Sequence, residues 1–206
     1  RVSLGPDLDR DEALEPAEAL EEHPDLFGYL AFAAVLCNDA AFAPAEEGAS
    51  GAQAFIGDPT EGALLVLARD NGIDPTALRS TYPRLAERPF DSDRKRMSTV
   101  HERDGEIVAA VKGAIDSLLP RCAFIMDENG PRPMTDEDRA RALAVEQRLS
   151  DEALRVLALA TRALPGVPGD VEDIERDLVL IGLVGMMDPP RPDVRQAVET
   201  CRTAGV

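Results

Sequence analysis

The chain has 206 residues, 44% of them hydrophobic and 30% charged, which suits one globular domain with room for a fragment of a second. Its formal charge of −17 repels nucleic acid and anionic membrane at a distance, so an anionic small ligand needs a local cationic pocket. No apolar run approaches the about 20 residues that cross a bilayer, and Cys37, Cys122 and Cys201 lack the spacing of a zinc site or disulfide framework, reading instead as buried free thiols of a reducing compartment.

Residues 1–22 are acidic and weakly patterned, and read as a short strand or mobile loop. From Pro24 the apolar positions Leu26, Tyr29, Leu30, Ala33 and Cys37 follow helical spacing, and Asn38-Asp39 stops the helix. Residues 41–57 read as two short strands joined by a Gly/Ser loop. In DPTEGALLVLARDNG, Asp58 can cap a helix, Pro59 suits its first position, Glu61 falls where a capping box places an acid, and Asn71-Gly72 ends it. YPRLAERPF, KRMSTVHE and EIVAAVKG read as strands, the last two joined by a hairpin across Arg103-Asp104-Gly105.

Ala114–Leu119 reads as a short helix ended by Pro120, and CAFIMDENGPRPM as a hairpin around Asn129-Gly130. Thr135, followed by three acids, opens the longest helix, to about Leu149. LRVLALATR and DLVLIGLVGMM are too continuously apolar for surface helices and read as buried strands. From Asp188 the chain reads as a rigid proline linker followed by a helix from about Pro192, which looks like the start of another unit. Strands with hairpin-length connections and interspersed helices predict an α+β fold, an antiparallel sheet flanked by helices.

The common catalytic and phosphate-binding signatures are absent: no G-x-x-x-x-G-K-[ST], G-x-G-x-x-G, G-x-S-x-G or H-E-x-x-H occurs. His23 and His101 stand isolated and read as structural or surface residues. Asp91-Ser92-Asp93 resembles a phosphatase nucleophile loop, but ERP before it is not a buried strand and Arg94-Lys95 follows where a small residue is needed.

Lys95 and Lys112 are the only lysines among 22 basic side chains. An ammonium on a thin stem enters a narrow slot that a planar guanidinium cannot, so these two mark places where shape matters. Phe90, at the end of a strand among charges, can stack on a nucleobase, worth about 1–3 kcal/mol. Lys112 closes an apolar strand before Gly113, whose missing side chain lets a flat ligand approach the backbone.

LCNDA (36–40), GDPTEGALL (57–65), FDSDRKRMS (90–98), VKGA (111–114), LRVLALATR (154–162) and GLVGMMDPPRP (182–192) together resemble, in order, the motifs of the nucleotide-binding domain of type II P-type cation-transporting ATPases, the calcium pumps and their bacterial relatives. The resemblance runs from about residue 24 to the end. It implies that Phe90 stacks on adenine, Lys112 lines the adenine pocket beside Gly113, itself read as nucleotide-binding from its missing side chain, Lys95 reaches the phosphates or holds the pocket, Glu61 contacts the adenine amino group and Arg155 meets the phosphates. Bland readings stand beside two of these: Glu61 as capping acid only, and Arg155 as the surface end of a buried strand. Ser92 departs from the pattern, since calcium pumps carry arginine there.

The same resemblance implies residues 1–184 as nucleotide-binding domain and 185–206 as hinge and first helix of a returning phosphorylation domain. Closure through 1–5 and 185–191 then presents the γ-phosphate of ATP to an aspartate outside this chain, with Mg2+ brought by the nucleotide. Implied partners are ATP or ADP and the phosphorylation domain, actuator domain and transmembrane helices of one parent chain, in a cytoplasmic position on a plasma-membrane protein. The fragment is expected to bind ATP weakly, about millimolar or ~4 kcal/mol, without hydrolysing it. Two alternatives are a stand-alone acidic nucleotide-sensing module and an autonomous phosphatase or kinase, the latter requiring turnover.

Overall fold

The computed structural model describes residues 1–44, 55–169, 174–187 and 200–203. The Gly/Ser loop read between the short strands lies outside the described residues, as do the proline linker and most of the helix read after it. The elements in order are β1 (Val2–Leu4), a 3-10 turn (Gly5–Asp9), α1 (Pro16–Glu22), α2 (Pro24–Leu36), β2 (Ala41–Phe42), β3 (Phe55–Ile56), α3 (Pro59–Asp70) and α4 (Pro75–Thr81). Then follow β4 (Arg84–Asp91), β5 (Arg96–Arg103), β6 (Glu106–Gly113), α5 (Ile115–Leu118), β7 (Cys122–Asp127), β8 (Gly130–Pro133), α6 (Asp136–Asp151), β9 (Arg155–Leu164) and β10 (Leu178–Met186).

The main sheet runs β4-β5-β6-β9-β10-β7-β8, every neighbour antiparallel except β10 with β7, and β1 pairs with the other end of β10. This is the expected α+β arrangement. Its central strands bury both faces, which is why their sequences show unbroken apolar runs. Ala110, Leu159 and Ile181 pack under α2 and α3, while their neighbours Val111, Ala158, Ala160 and Leu180 pack on α5 and α6. Each larger side chain so buried contributes about 1.5–3 kcal/mol relative to exposure.

Local chemistry sets the ends of the elements. Asp104 and Gly105 both take positive φ (54° and 84°), the turn that matches strand twist in a two-residue hairpin. Thr135 and Asp138 form a reciprocal capping box on α6, and the bidentate Arg132 guanidinium holds the Asp138 carboxyl well below the usual range. Gly72 (φ +81°) terminates α3, with Ile73 N–H returning to Ala68 O at 3.0 Å.

Four expectations change. Residues 1–22 hold a strand and a helix: Val2 and Leu4 are fully buried, and the Arg1 amino group donates to Gly185 O at 3.1 Å. Helix α4 was not read from the sequence, because only one of its seven residues is buried. Lys95 belongs to the turn before β5, with φ +52°, and not to the strand itself. Cys201 is exposed, while Cys37 and Cys122 are buried as expected.

Candidate functional site

Several chain segments meet where α3, β5 and β9 begin and where β4 and β6 end. Asp58 caps α3 by accepting from Thr60 N–H at 2.8 Å. Burial opposes its charge, but the Thr60 bonds and the nearby Arg155 prevail and lower its pKa. Glu61, three residues on, does not close a capping box. Its Oε2 accepts the Asp39 and Ala40 backbone N–H groups, both at 3.1 Å, and its Oε1 accepts from Lys112 Nζ. Asn38 completes the junction, donating to Ala34 O and Glu61 O at 3.0 and 2.9 Å. The C-terminal end of α2 is thus tied to the N-terminal end of α3, and Glu61 is the tie.

Lys112 reaches this point from the centre of the sheet. Its side chain is 7% exposed, beside Cys37, and it forms an ion pair with Glu61, which is 15% exposed. Burial pushes the Cys37 thiol up to about 11 despite the neighbouring ammonium, so it stays protonated and inert at neutral pH. Lys95 has a different setting. It is more than half exposed and pairs with Asp116 at 2.8 Å, holding that carboxyl below its usual range. The narrow-slot argument therefore describes Lys112 and not Lys95, whose surroundings leave room for a guanidinium.

A cavity of about 590 Å³ opens here, a size ordinary for a small-molecule site. Glu61, Phe90, Lys95, Lys112, Gly113 and Arg155, the six residues singled out from the sequence, all line it. Asp39, Asp58, Thr60, Ala114, Val156 and Leu157 complete the wall. Phe90 stands 62% exposed at the rim of this cavity. Arg155 crosses from β9 to α3, donating to Thr60 Oγ1 at 2.5 Å. The three cations of the wall, Lys95, Lys112 and Arg155, stand with three carboxylates, Asp39, Asp58 and Glu61, which keeps the local charge near balance inside a strongly negative molecule.

The residues missed from sequence had weak signals. Thr60 sits inside GDPTEGALL and Asp39 inside LCNDA, motifs already noted, but neither carries a charge pattern that marks a pocket. Asp39 in turn accepts from Arg84 at 2.8 Å. A smaller cavity of about 260 Å³ lies beyond it, where Arg79 and Arg84 donate to the Val35 and Leu36 carbonyls at the end of α2 and to the Asn38 and Ala40 carbonyls that follow.

Gly113 pairs with Arg96 on one side and Ala158 on the other. A Cβ there would lie 2.6 Å from Arg96 Cβ and 2.7 Å from Lys95 O. Its missing side chain serves strand packing at the Lys95 turn, whatever approaches from the cavity. Gly113→Ala is expected to destabilise the fold by about 1–3 kcal/mol through overpacking, read as a lower urea midpoint. An unchanged midpoint would mean the β5–β6 contact is slack.

Residues 27–193 match the family model described as P-type ATPase, cytoplasmic domain N. The chain is 38% identical over 196 residues to calcium-transporting ATPase 1 of Bacillus cereus, covering 95% of this chain and 21% of that protein. It is 39% identical over 190 residues to a calcium-transporting ATPase of Bacillus subtilis (91% and 21%). It is also 38% identical over 174 residues to a cation-transporting ATPase of Synechocystis (84% and 18%). The chain spans about a fifth of the length of these curated relatives. Among the described residues no helix is long and apolar enough to cross a membrane.

Proposed function

We propose, from the fact that this chain belongs to the P-type cation-transporting ATPases as their cytoplasmic domain N, that its 590 Å³ cavity holds ATP. In this reading the domain is part of a membrane cation pump. The purine lies against Phe90, over the floor formed by Lys112, Gly113 and Leu157. The triphosphate runs outward past Lys95 and Arg155 toward an aspartate on a neighbouring domain of the parent chain.

One observation carries the reading: residues drawn from four separated segments, expected at a nucleotide site from their chemistry or from the family resemblance, line a single cavity. The fused purine offers two π-faces and no charge, which suits an aromatic rim beside a wall near electrical balance. The polyphosphate needs cations, and Lys95 and Arg155 can exchange Asp116 and Thr60 for phosphate oxygens without unfolding anything. Lys112 is held by Glu61 and stays in the wall.

Magnesium enters as part of the substrate, Mg-ATP, carried by the nucleotide. Among the described residues only Asp7, Glu22 and His23 bring three candidate ligand atoms together. That group lies away from the cavity, and Arg10 already joins Asp7 to Glu22 there. The contribution to phosphoryl transfer is positioning.

Residues 1–184 then form the nucleotide-binding unit and 185–206 the returning segment. Strand β1 and the end of β10 lie side by side, Gly185 N–H on Arg1 O at 3.0 Å, as two adjacent crossings to a neighbouring domain require. Titrating ATP into isotope-labelled chain tests the site: the largest amide shifts are expected at Phe90, Lys112 and Glu61, and shifts that avoid all three would overturn it. With Mg-ATP the chain should release no phosphate over many hours; sustained turnover would mark an autonomous hydrolase.

A further inference from the structure

Glu175 lies outside the cavity, yet its carboxylate is the meeting point of the hairpin that carries Phe90. Its side chain has no solvent exposure. Oε1 accepts from Ser98 Oγ at 2.6 Å and from the Arg94 guanidinium, and Oε2 accepts from Arg96 Nε at 2.6 Å and Arg88 at 3.3 Å. Burial works against the charge, but the bonds from Ser98, Arg94 and Arg96 outweigh it and keep the carboxyl below its usual range. Three arginines from β4, its following turn and β5 therefore share one anion, contributed from 79 to 87 residues later in the chain.

Arg94 is the lever in this cluster. One arm of its guanidinium binds Glu175 and the other donates to Pro89 O at 2.7 Å, the carbonyl immediately before Phe90. Its own backbone is pinned as well. Arg94 N–H donates to Asp91 Oδ1 at 2.8 Å, and Arg94 O accepts from Arg96 at 2.9 Å and from the Ser117 hydroxyl. Phe90 is mostly exposed, so side-chain packing does little to fix its ring. The ring stands where the backbone of residues 89–94 puts it.

We propose that Glu175 is a positioning residue: through Arg94 and the Pro89 carbonyl it sets the Phe90 ring over the cavity and thereby tunes nucleotide affinity. The proposal rests on the reading of the cavity as an ATP site. A carboxylate with this geometry imposes direction as well as charge balance, because the planar guanidinium must lie in its plane while reaching a second acceptor.

The test is Glu175→Gln, which keeps shape and removes charge. Binding of adenosine, ADP and ATP to the 206-residue chain is measured where circular dichroism shows the variant folded. The expected result is a loss of about tenfold, equal for all three ligands because only the shared base stacks on the ring. Amides of Phe90 to Lys95 should also shift before any nucleotide is added, while those of β9 stay. If Glu175→Gln does not fold, Arg94→Lys serves, since an ammonium keeps the charge but cannot span both acceptors; the same pattern is expected. Unchanged affinity in a folded variant, or a loss that grows with the number of phosphates, overturns the proposal. Wild-type chain showing no ATP response at Phe90 and Lys112 would instead sink the nucleotide reading, and this proposal with it.

Discussion

Phe90→Ala is expected to weaken ATP, ADP and adenosine by a common factor of about 5 to 150, the 1–3 kcal/mol of one base–aromatic contact. The size follows from the ring's surroundings. At 62% exposure it buries little in the free chain, so the contact with a purine is gained almost entirely on binding. For the same reason folding stability should move by no more than about 0.5 kcal/mol, the usual range for surface positions. The comparison of binding with stability makes the result interpretable: a residue that held the fold would change both. Titration of tripolyphosphate supplies the control, because that ligand has no base to stack. Equal affinity of wild-type chain for ATP and bare tripolyphosphate would remove the ring from the site.

Much of the architecture was legible because it is written locally. The continuous apolar runs of β9 and β10 announce strands buried on both faces, and Asp104-Gly105 announces its hairpin. Phe90, Lys95 and Lys112 could be gathered because each sits at a strand end beside charges or glycine. What could not be read depends on distant partners. Val2 and Leu4 are buried by β10, about 180 residues away along the chain, and nothing in an acidic opening segment signals that. Glu175 has no local signature at all: its environment is built by Arg88, Arg94, Arg96 and Ser98 from the other half of the chain. Glu61 shows the intermediate case. Its position at the third residue of α3 is a valid capping pattern, but Lys112 and the Asp39–Ala40 backbone compete for the carboxylate and win. An ion pair with two added backbone bonds outweighs one local cap bond.

Removing one member of that pair is the second large effect expected. Lys112→Met keeps a slender, unbranched side chain one atom shorter and deletes the ammonium, leaving Glu61 without its cation. Breaking a buried ion pair from one side costs about 3–5 kcal/mol. Here Glu61 retains the Asp39 and Ala40 N–H groups and slight exposure, so about 2–3 kcal/mol is expected, seen as a lower urea midpoint. Glu61→Gln added to Lys112→Met should recover part of the loss, because the buried charge is then gone from both sides. Lys112→Arg should not be silent either. The slot beside Cys37 and Met97 leaves the Lys112 side chain 7% exposed, and a guanidinium there must displace neighbours at about 1–3 kcal/mol. The two results separate the causes: charge explains the methionine variant and its rescue, shape explains the arginine variant. A double variant no more stable than Lys112→Met alone, together with a fully tolerated Lys112→Arg, would show that Glu61 and Lys112 meet without depending on each other. The wall proposed to lie beneath the purine would then lack the fixed geometry that the proposed site requires.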